Sequence, residues 1–171
     1  MITFRHLATG DLPMLHDWLR RPHVAEWWKP TPSLEEVIEE FAPKTPAGPR
    51  KGYIAFDDDR AIGFIQSYVV KDCGDGWWED ETDPGARGID QFLAHDEDLG
   101  RGLGTAMIRA FVARLFDDPS VTHIQTDPEP RNARAIRCYE KAGFRAVREV
   151  DTPDGPALLM ICTRAALGSG A

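Results

Sequence analysis

The sequence has few cysteines and no long hydrophobic run. Cys73, Cys138 and Cys162 are odd in number, far apart and not spaced like metal ligands, so we expect buried free thiols and no metal site. No run approaches the ~18 apolar residues that a membrane span needs. Polar side chains interrupt the first residues too often for a secretory signal. These absences predict a cytoplasmic protein with no membrane partner.

Positive charge is also in short supply. Lys and Arg number 20 against 28 Asp and Glu, giving a formal net charge of −8 at pH 7. Such a chain lacks the basic surface that nucleic acids require, so a charged partner should be cationic. A length of 171 residues with 42% hydrophobic residues predicts a single domain over 1–171. We expect a disordered tail only over 167–171.

Hydrophobic spacing predicts strands and helices in alternation. Apolar residues in a strand-like pattern, with hairpin turns, occur at 2–8, 53–56, 62–70, 87–94, 121–126, 144–150 and 157–163. The first predicted helix is capped by Thr9 and ends at Pro22, and the second begins at a Ser33–Glu36 capping box. Two further helices are predicted from helical spacing over 102–116 and 132–142. This order predicts an α+β domain with a mixed, mostly antiparallel sheet flanked by about four helices.

Two motifs stand out for their chemistry. The first, Leu99-Gly100-Arg101-Gly102-Leu103-Gly104-Thr105, lies between a strand and a helix. Glycines allow close approach to an anion and the helix N-terminus attracts it, which favours a pyrophosphate; the spacing fits neither a Walker A loop nor a dinucleotide fingerprint. The second is a helix that Asn132 can cap and Gly143 can end, with Tyr139 on its apolar face, where a half-buried core tyrosine is the alternative.

Together the two motifs resemble the acyl-CoA-binding core of the Gcn5-related N-acetyltransferase (GNAT) superfamily. The resemblance implies acetyl-CoA as co-substrate. It assigns the pyrophosphate to Gly100, Arg101, Gly102, Leu103, Gly104 and Thr105, and the pantetheine arm to Gln91, Phe92, Leu93 and Asn132. Tyr139 would then stand near the thiol sulfur. The superfamily often has Gln or Arg where this chain has Leu99.

Paired tryptophans among acids point to the second substrate. Trp27-Trp28 follows Glu26, and Trp77-Trp78 lies in an acidic loop over 74–85. Tryptophan faces suit sugar rings and carboxylates suit ammonium groups; packing in the core or a lid is the alternative.

Here the resemblance narrows to the aminoglycoside 6′-N-acetyltransferases. It rests on Glu26-Trp27-Trp28, Gly74-Asp75-Gly76-Trp77-Trp78, Arg87-Gly88-Ile89-Asp90-Gln91, Gln125-Thr126-Asp127-Pro128 and the Ala135–Phe144 segment. It implies that Asp75 and Asp127 bind the antibiotic's amines, that Asp90 lies at the reacting 6′-amine, and that Tyr139 is the acid. Trp27, Trp28, Trp77 and Trp78 would line the sugar site. The 43–50 loop and the first helix match least.

The implied mechanism is direct attack by the amine on the thioester. Asp90 would act as base, directly or through water, or only orient the amine, and a strand N–H near Phe92 or Leu93 would stabilise the oxyanion. Three other interpretations stay open: an acyltransferase acting on a hydroxylysine siderophore precursor, a non-catalytic binder of acyl-CoA or antibiotic, and a purely structural domain. The sequence does not decide between monomer and homodimer.

Overall fold

A computed structural model describes residues 1–43 and 48–168. Half of the 43–50 loop (residues 44–47), and residues 169–171 of the predicted tail, lie outside the described residues. Leu167 and Gly168, also assigned to that tail, instead belong to a short helix. Leu167 packs against the core, which explains why the helix extends this far.

The described residues form a seven-stranded sheet in the order β1-β2-β3-β4-β5-β7-β6. Its strands are β1 Ile2–His6, β2 Arg50–Asp57, β3 Arg60–Val69, β4 Ala86–Leu93, β5 His123–Thr126, β6 Arg145–Thr152 and β7 Gly155–Thr163. Neighbouring strands run antiparallel except β4 and β5, which are parallel. The predicted mixed, mostly antiparallel sheet is therefore confirmed.

Helices cover both faces of the sheet. They are α1 Leu12–Leu19, α2 Pro22–Ala25, α3 Leu34–Phe41, α4 Leu103–Phe116, α5 Ala133–Lys141 and α6 Arg164–Gly168. The four longer ones match the four predicted helices, whereas the short α2 and α6 were not predicted. Among the described residues, no helix has the length and apolar character needed to span a bilayer.

Local capping explains where the first helices begin. The capping box before α3 is confirmed, because the Glu36 N–H donates to Ser33 Oγ at 3.2 Å and the Ser33 N–H donates to the Glu36 carboxylate at 2.6 Å. Thr9 was wrongly expected to cap α1: it lies in a 3-10 turn, and α1 begins after Asp11. Pro22 opens α2 rather than only ending α1, since its restricted φ suits a first helical turn.

Alternate strand residues build two apolar layers, one on each face. Ile65 and Ile89 pack with α4 and α5 around Phe111. Phe64 and Phe92, which lie an odd number of residues from Ile65 and Ile89 along their strands, pack with α1 on the other face. Each such fully buried side chain contributes about 1.5–3 kcal/mol, so β3 and β4 are held firmly from both sides.

The parallel strands β4 and β5 separate near the middle of the sheet. They pair only from Ala86 with His123 to Gly88 with Gln125, although β4 continues to Leu93. On the side of β4 away from β3, the Ile89 carbonyl accepts a hydrogen bond from Thr126 Oγ1 at 3.1 Å, and the Leu93 carbonyl accepts one from His23 Nε2 at 2.9 Å. Strand alternation turns the Gln91 peptide groups the same way. Among the described residues, the second half of β4 thus has no strand partner on this side, and its edge faces a gap inside the sheet.

Candidate active site

A cavity of about 260 Å³ adjoins this gap between β4 and β5. Eight of the residues predicted to bind acetyl-CoA line it: Gln91, Phe92, Leu93, Gly100, Gly102, Gly104, Thr105 and Asn132. Arg101 and Leu103 are not among its lining residues. The carbonyl of Phe92 faces Gly63 of β3, so of the two residues expected to stabilise an oxyanion, Leu93 is the one whose peptide N–H faces the gap.

The glycine loop is shaped to receive an anion. Gly100 and Gly102 have φ of +76° and +83°, a left-handed conformation that side-chain-bearing residues rarely adopt. Gly102 is also the N-cap of the 14-residue helix α4 and has no side chain to cap the free N–H groups of the first turn. These N–H groups and the helix dipole fit a pyrophosphate.

Asn132 uses half of its side chain within the protein. Its Oδ1 accepts the Ala135 N–H at 3.1 Å and so caps α5, as predicted. The Nδ2 group remains to donate to a ligand in the cavity, and Oδ1 can accept one further hydrogen bond.

Three cations in the cavity lining escaped the sequence analysis. Arg134, Arg137 and Lys141 follow each other at helical spacing on α5. Within the described ranges none of them has an ion-pair partner, in contrast to Arg50 with Glu40 or Arg60 with Asp98. Their spacing in an acidic chain was the signal that could have found them. His23, which also lines the cavity, was not predicted because it lies in the unpredicted helix α2.

Tyr139 belongs both to the core and to the gap. Its ring is 4% exposed and packs edge-on against Phe144 with centroids 5.3 Å apart. Burial raises the pKa of its hydroxyl, while interactions with the side chains of Thr126 and Gln91 lower it. The hydroxyl thus lies where β4 and β5 separate and holds its proton at neutral pH.

Asp90 lies on the opposite face of β4 from Gln91. Its Oδ2 accepts a hydrogen bond from Nε2 of Gln66, the residue directly across on β3, at 2.8 Å. Burial raises the pKa of Asp90; the Gln66 hydrogen bond and Arg50 lower it, and Glu40 and Asp154 raise it. Nothing local in the sequence pointed to Gln66.

Asp127 follows β5 and feels the charge of Asp90. Burial and the charges of Asp90 and Asp154 raise the pKa of Asp127 to about 8. The structure thus brings Asp90 and Asp127 together, as expected, and adds Asp154 from the β6–β7 turn, a residue to which the sequence analysis gave no role. Partly desolvated acids in a cluster are poised to attract cations.

Asp75 is exposed in the tight turn that Gly74 and Trp77 close with a β-bridge. A Cβ on Gly76 would lie 3.6 Å from Pro153, so this turn lies beside the β6–β7 turn that carries Asp154. The turn that carries Asp75 therefore lies beside the turn that carries Asp154, one member of the acidic cluster.

The two tryptophan pairs predicted to line the sugar site lie in different places, one at the cavity and the other in the acidic loop. Trp27 and Trp28 line the cavity with the glycine loop, and Trp28 also packs edge-on against Phe92 with centroids 5.1 Å apart. Trp78 packs with Tyr68, Val70 and Ala86 beneath the acidic loop. Trp77 stands next to it, with ring centroids 6.3 Å apart. Core packing, the alternative considered above, thus accounts for much of Trp28 and Trp78.

Comparison with known proteins places the chain in a family. Residues 8–152 match the model of the acetyltransferase (GNAT) domain. Aminoglycoside N(6′)-acetyltransferase type 1 of Klebsiella pneumoniae is 53% identical over 169 residues, covering 96% of this chain and 84% of that protein. The chain belongs to the aminoglycoside N(6′)-acetyltransferases of the GNAT superfamily.

More distant and structural relatives agree with this placement. Lysine N-acyltransferase MbtK of Mycobacterium tuberculosis is 28% identical over 147 residues, covering 83% of this chain and 68% of that protein. The crystal structure of aminoglycoside acetyltransferase AAC(6′)-Ib in complex with coenzyme A and kanamycin has a TM-score of 0.94, at 53% identity and 98% coverage of both chains. Acetyl-CoA is thus the co-substrate of this acetyltransferase. In the described part of the chain, no three His, Cys, Asp or Glu side chains are grouped to hold a metal ion.

The raised pKa of Asp127 predicts a pH-dependent stability. Because the folded state binds this proton more tightly than the unfolded chain does, the stabilisation is complete below the usual Asp pKa of 3.8 and is lost as the pH rises to about 8. Asp127→Asn should therefore flatten the fall in Tm between pH 5 and 8, leaving the variant at least about 2 °C above wild type at pH 8. Asp59→Asn, an exposed turn carboxylate, is the control in thermal unfolding. Parallel curves for Asp127→Asn and wild type would contradict the assignment.

Proposed function

We propose that this enzyme acetylates the 6′-amine of aminoglycoside antibiotics and thereby confers resistance to them. The observation that carries the proposal is the placement of Asp90 and Gln91 on one strand. Asp90 faces a cluster of acids suited to a polycation, and Gln91 borders the gap suited to acetyl-CoA. The 53% identical relative and the AAC(6′)-Ib complex with coenzyme A and kanamycin support it. Three unpaired thiols suit the cytoplasm, where we place the activity.

The acetyl-CoA site follows from the gap and the loop beside it. The free backbone edge of β4, at Gln91 and Leu93, would pair with the extended pantetheine arm as a further strand does. The N–H groups at the start of α4 would bind the pyrophosphate. Arg134, Arg137 and Lys141 would attract this polyanion to a chain whose net charge is −8.

The substrate amine must lose a proton before it can react. An alkylammonium with a pKa near 10.4 is neutral in about one molecule in 2,500 at pH 7, a cost of ~4.6 kcal/mol. Asp90, directly or through a water molecule, would accept that proton. The acetyl donor supplies an activated thioester, to whose carbonyl carbon the amine nitrogen bonds as the carbon–sulfur bond breaks. The nitrogen loses a second proton as the amide forms, which balances the proton that the thiolate gains.

Protein groups in the gap would stabilise the charges that develop. The Leu93 N–H, which faces the gap, would donate to the carbonyl oxygen, and the protonated hydroxyl of Tyr139 would supply a proton to the departing thiolate. Asp90 binds from one face of the sheet and Tyr139 from the other, so the reacting atoms would meet at the edge of β4.

The acidic rim favours a substrate with several amines. Asp75, Asp127 and Asp154 would each meet an ammonium group, and Trp77 would offer its face to a sugar ring. Exposed pairs add only about 0–1 kcal/mol each, but burial strengthens those at Asp127. A lysine side chain has a single ammonium, which leaves the other acids without partners. This favours the aminoglycoside over the siderophore precursor.

The proposal is tested by regiochemistry. With a 6′-amino aminoglycoside and acetyl-CoA, we expect thiol release and a product that NMR shows to be acetylated at the 6′-nitrogen. A 6′-hydroxyl analogue should bind but release almost no thiol, because the hydroxyl is a poorer nucleophile. Acetylation mapped to another nitrogen would refute the 6′ assignment, and no turnover with any aminoglycoside would refute the function.

Tyr139→Phe should separate the acid role from packing. Phenylalanine keeps the ring that packs on Phe144 and removes only the hydroxyl at the gap. We expect kcat to fall by roughly 10–100-fold while the KM for the aminoglycoside stays close to wild type, as for loss of a proton donor. Phe144→Leu, which disturbs the same packing and keeps the hydroxyl, is the matched control. Wild-type kcat in Tyr139→Phe, with chemistry rate-limiting, would reduce Tyr139 to a core residue.

A further inference from the structure

Gln66 is buried against the proposed base. It lies on β3 directly opposite Asp90, is 4% exposed, and donates from Nε2 to Asp90 Oδ2 at 2.8 Å. An ionised carboxylate accepts hydrogen bonds but donates none, so the amide must present its nitrogen to Asp90. Its oxygen is therefore turned away from Asp90.

That oxygen is left without a partner. Among the described residues, Oε1 of Gln66 is one of the buried side-chain polar atoms with no hydrogen bond. Buried polar groups in proteins are nearly always bonded, because leaving one unpaired costs free energy. Gln66 Oε1 is thus an unpaired acceptor beside Asp90, the proposed base for an ammonium group. This points to a hydrogen-bond donor on the ligand.

We propose that Gln66 orients the substrate amine as well as the base: Nε2 holds the Asp90 carboxylate, and Oε1 accepts an N–H from the nitrogen to be acetylated. The inference rests on the proposed function and deepens it. The ammonium nitrogen carries three N–H bonds. One proton passes to Asp90 and becomes its O–H, Gln66 holds a second N–H, and the electron pair freed by the first is directed at the thioester carbonyl.

Several charged groups around Asp90 also influence its titration. Arg50 from β2, Glu40 from α3 and Asp154 from the β6–β7 turn act on Asp90, and Asp90 in turn acts on Asp127, Tyr68, Cys73 and Tyr139. All of these remain when Gln66 alone is replaced. A shift in the acid limb of the pH profile of kcat/KM then shows the effect of the hydrogen bond between Gln66 and Asp90.

Two variants of Gln66 test the proposal. Gln66→Met removes both amide contacts in a side chain of similar length. Gln66→Glu keeps the volume and an acceptor, but places a second carboxylate where Asp90 needs a donor. Gln125→Met is the matched control: Gln125 is another glutamine, 3% exposed on β5, whose Nε2 has no partner among the described residues and which has no hydrogen bond to Asp90. Thermal unfolding shows that each variant folds.

The readouts are kcat and the pH profile of kcat/KM with a 6′-amino aminoglycoside. Gln66→Met should lower kcat roughly tenfold or more on its high-pH plateau, leave the KM for acetyl-CoA unchanged, and move the acid limb to higher pH. Gln66→Glu should move that limb further, because a second carboxylate opposes ionisation of Asp90. Gln125→Met should keep the wild-type limb.

Three results would overturn the inference. An unmoved acid limb in both Gln66 variants would show that Gln66 does not hold the base. A shifted acid limb together with an unchanged kcat on the high-pH plateau would show that Gln66 does not bind the amine. Equal losses in Gln66→Met and Gln125→Met would make Gln66 a packing residue. If instead wild-type enzyme acetylates no aminoglycoside, the proposed function fails.

Discussion

The separation of β4 from β5 after Gly88 is the constraint on which the site depends. A strand inside a sheet cannot leave its peptide groups unpaired without cost, and here Thr126 and His23 bond two of the exposed carbonyls while the peptide between them stays open. Beyond β5 the chain turns towards β7, where the Leu158 N–H donates to Pro128 at 2.8 Å, so it cannot close the gap. An extended ligand with amide groups would supply what the strands do not.

Charged groups of opposite sign lie in different parts of the molecule. Arg134, Arg137 and Lys141 line the cavity on the side of α5, whereas Asp90, Asp127 and Asp154 collect on the other face of the sheet. Gathering acids in a desolvated place disfavours the folded state once they ionise, and a polycation relieves that repulsion when it binds. Under the proposed function, some stability is thus given up at the place where the substrate would bind.

The sequence predicted those parts of the molecule whose signals are local. The glycine loop, the Ser33 capping box and the α5 helix with its Asn132 cap each depend on a few adjacent residues, and the structure has them where expected. The pairing of Gln66 with Asp90 and the approach of Asp154 depend on strand register and on contacts distant in the chain, which periodicity does not reveal. Thr9 failed as a cap because the Asp11 carboxylate accepts the Ala8 N–H in a preceding turn, and α2 is too short to show a helical pattern.

Amide hydrogen exchange tests the central claim, that the open edge of β4 is where the acyl donor binds. In the free enzyme, the N–H groups of Gln91 and Leu93 face the gap, whereas that of Phe92 is turned towards β3. Exchange measured by NMR should therefore slow at Gln91, Leu93 or both when acetyl-CoA is added, with Phe92 already protected in the free enzyme. Saturation with acetyl-CoA that left Gln91 and Leu93 exchanging as before would contradict the account.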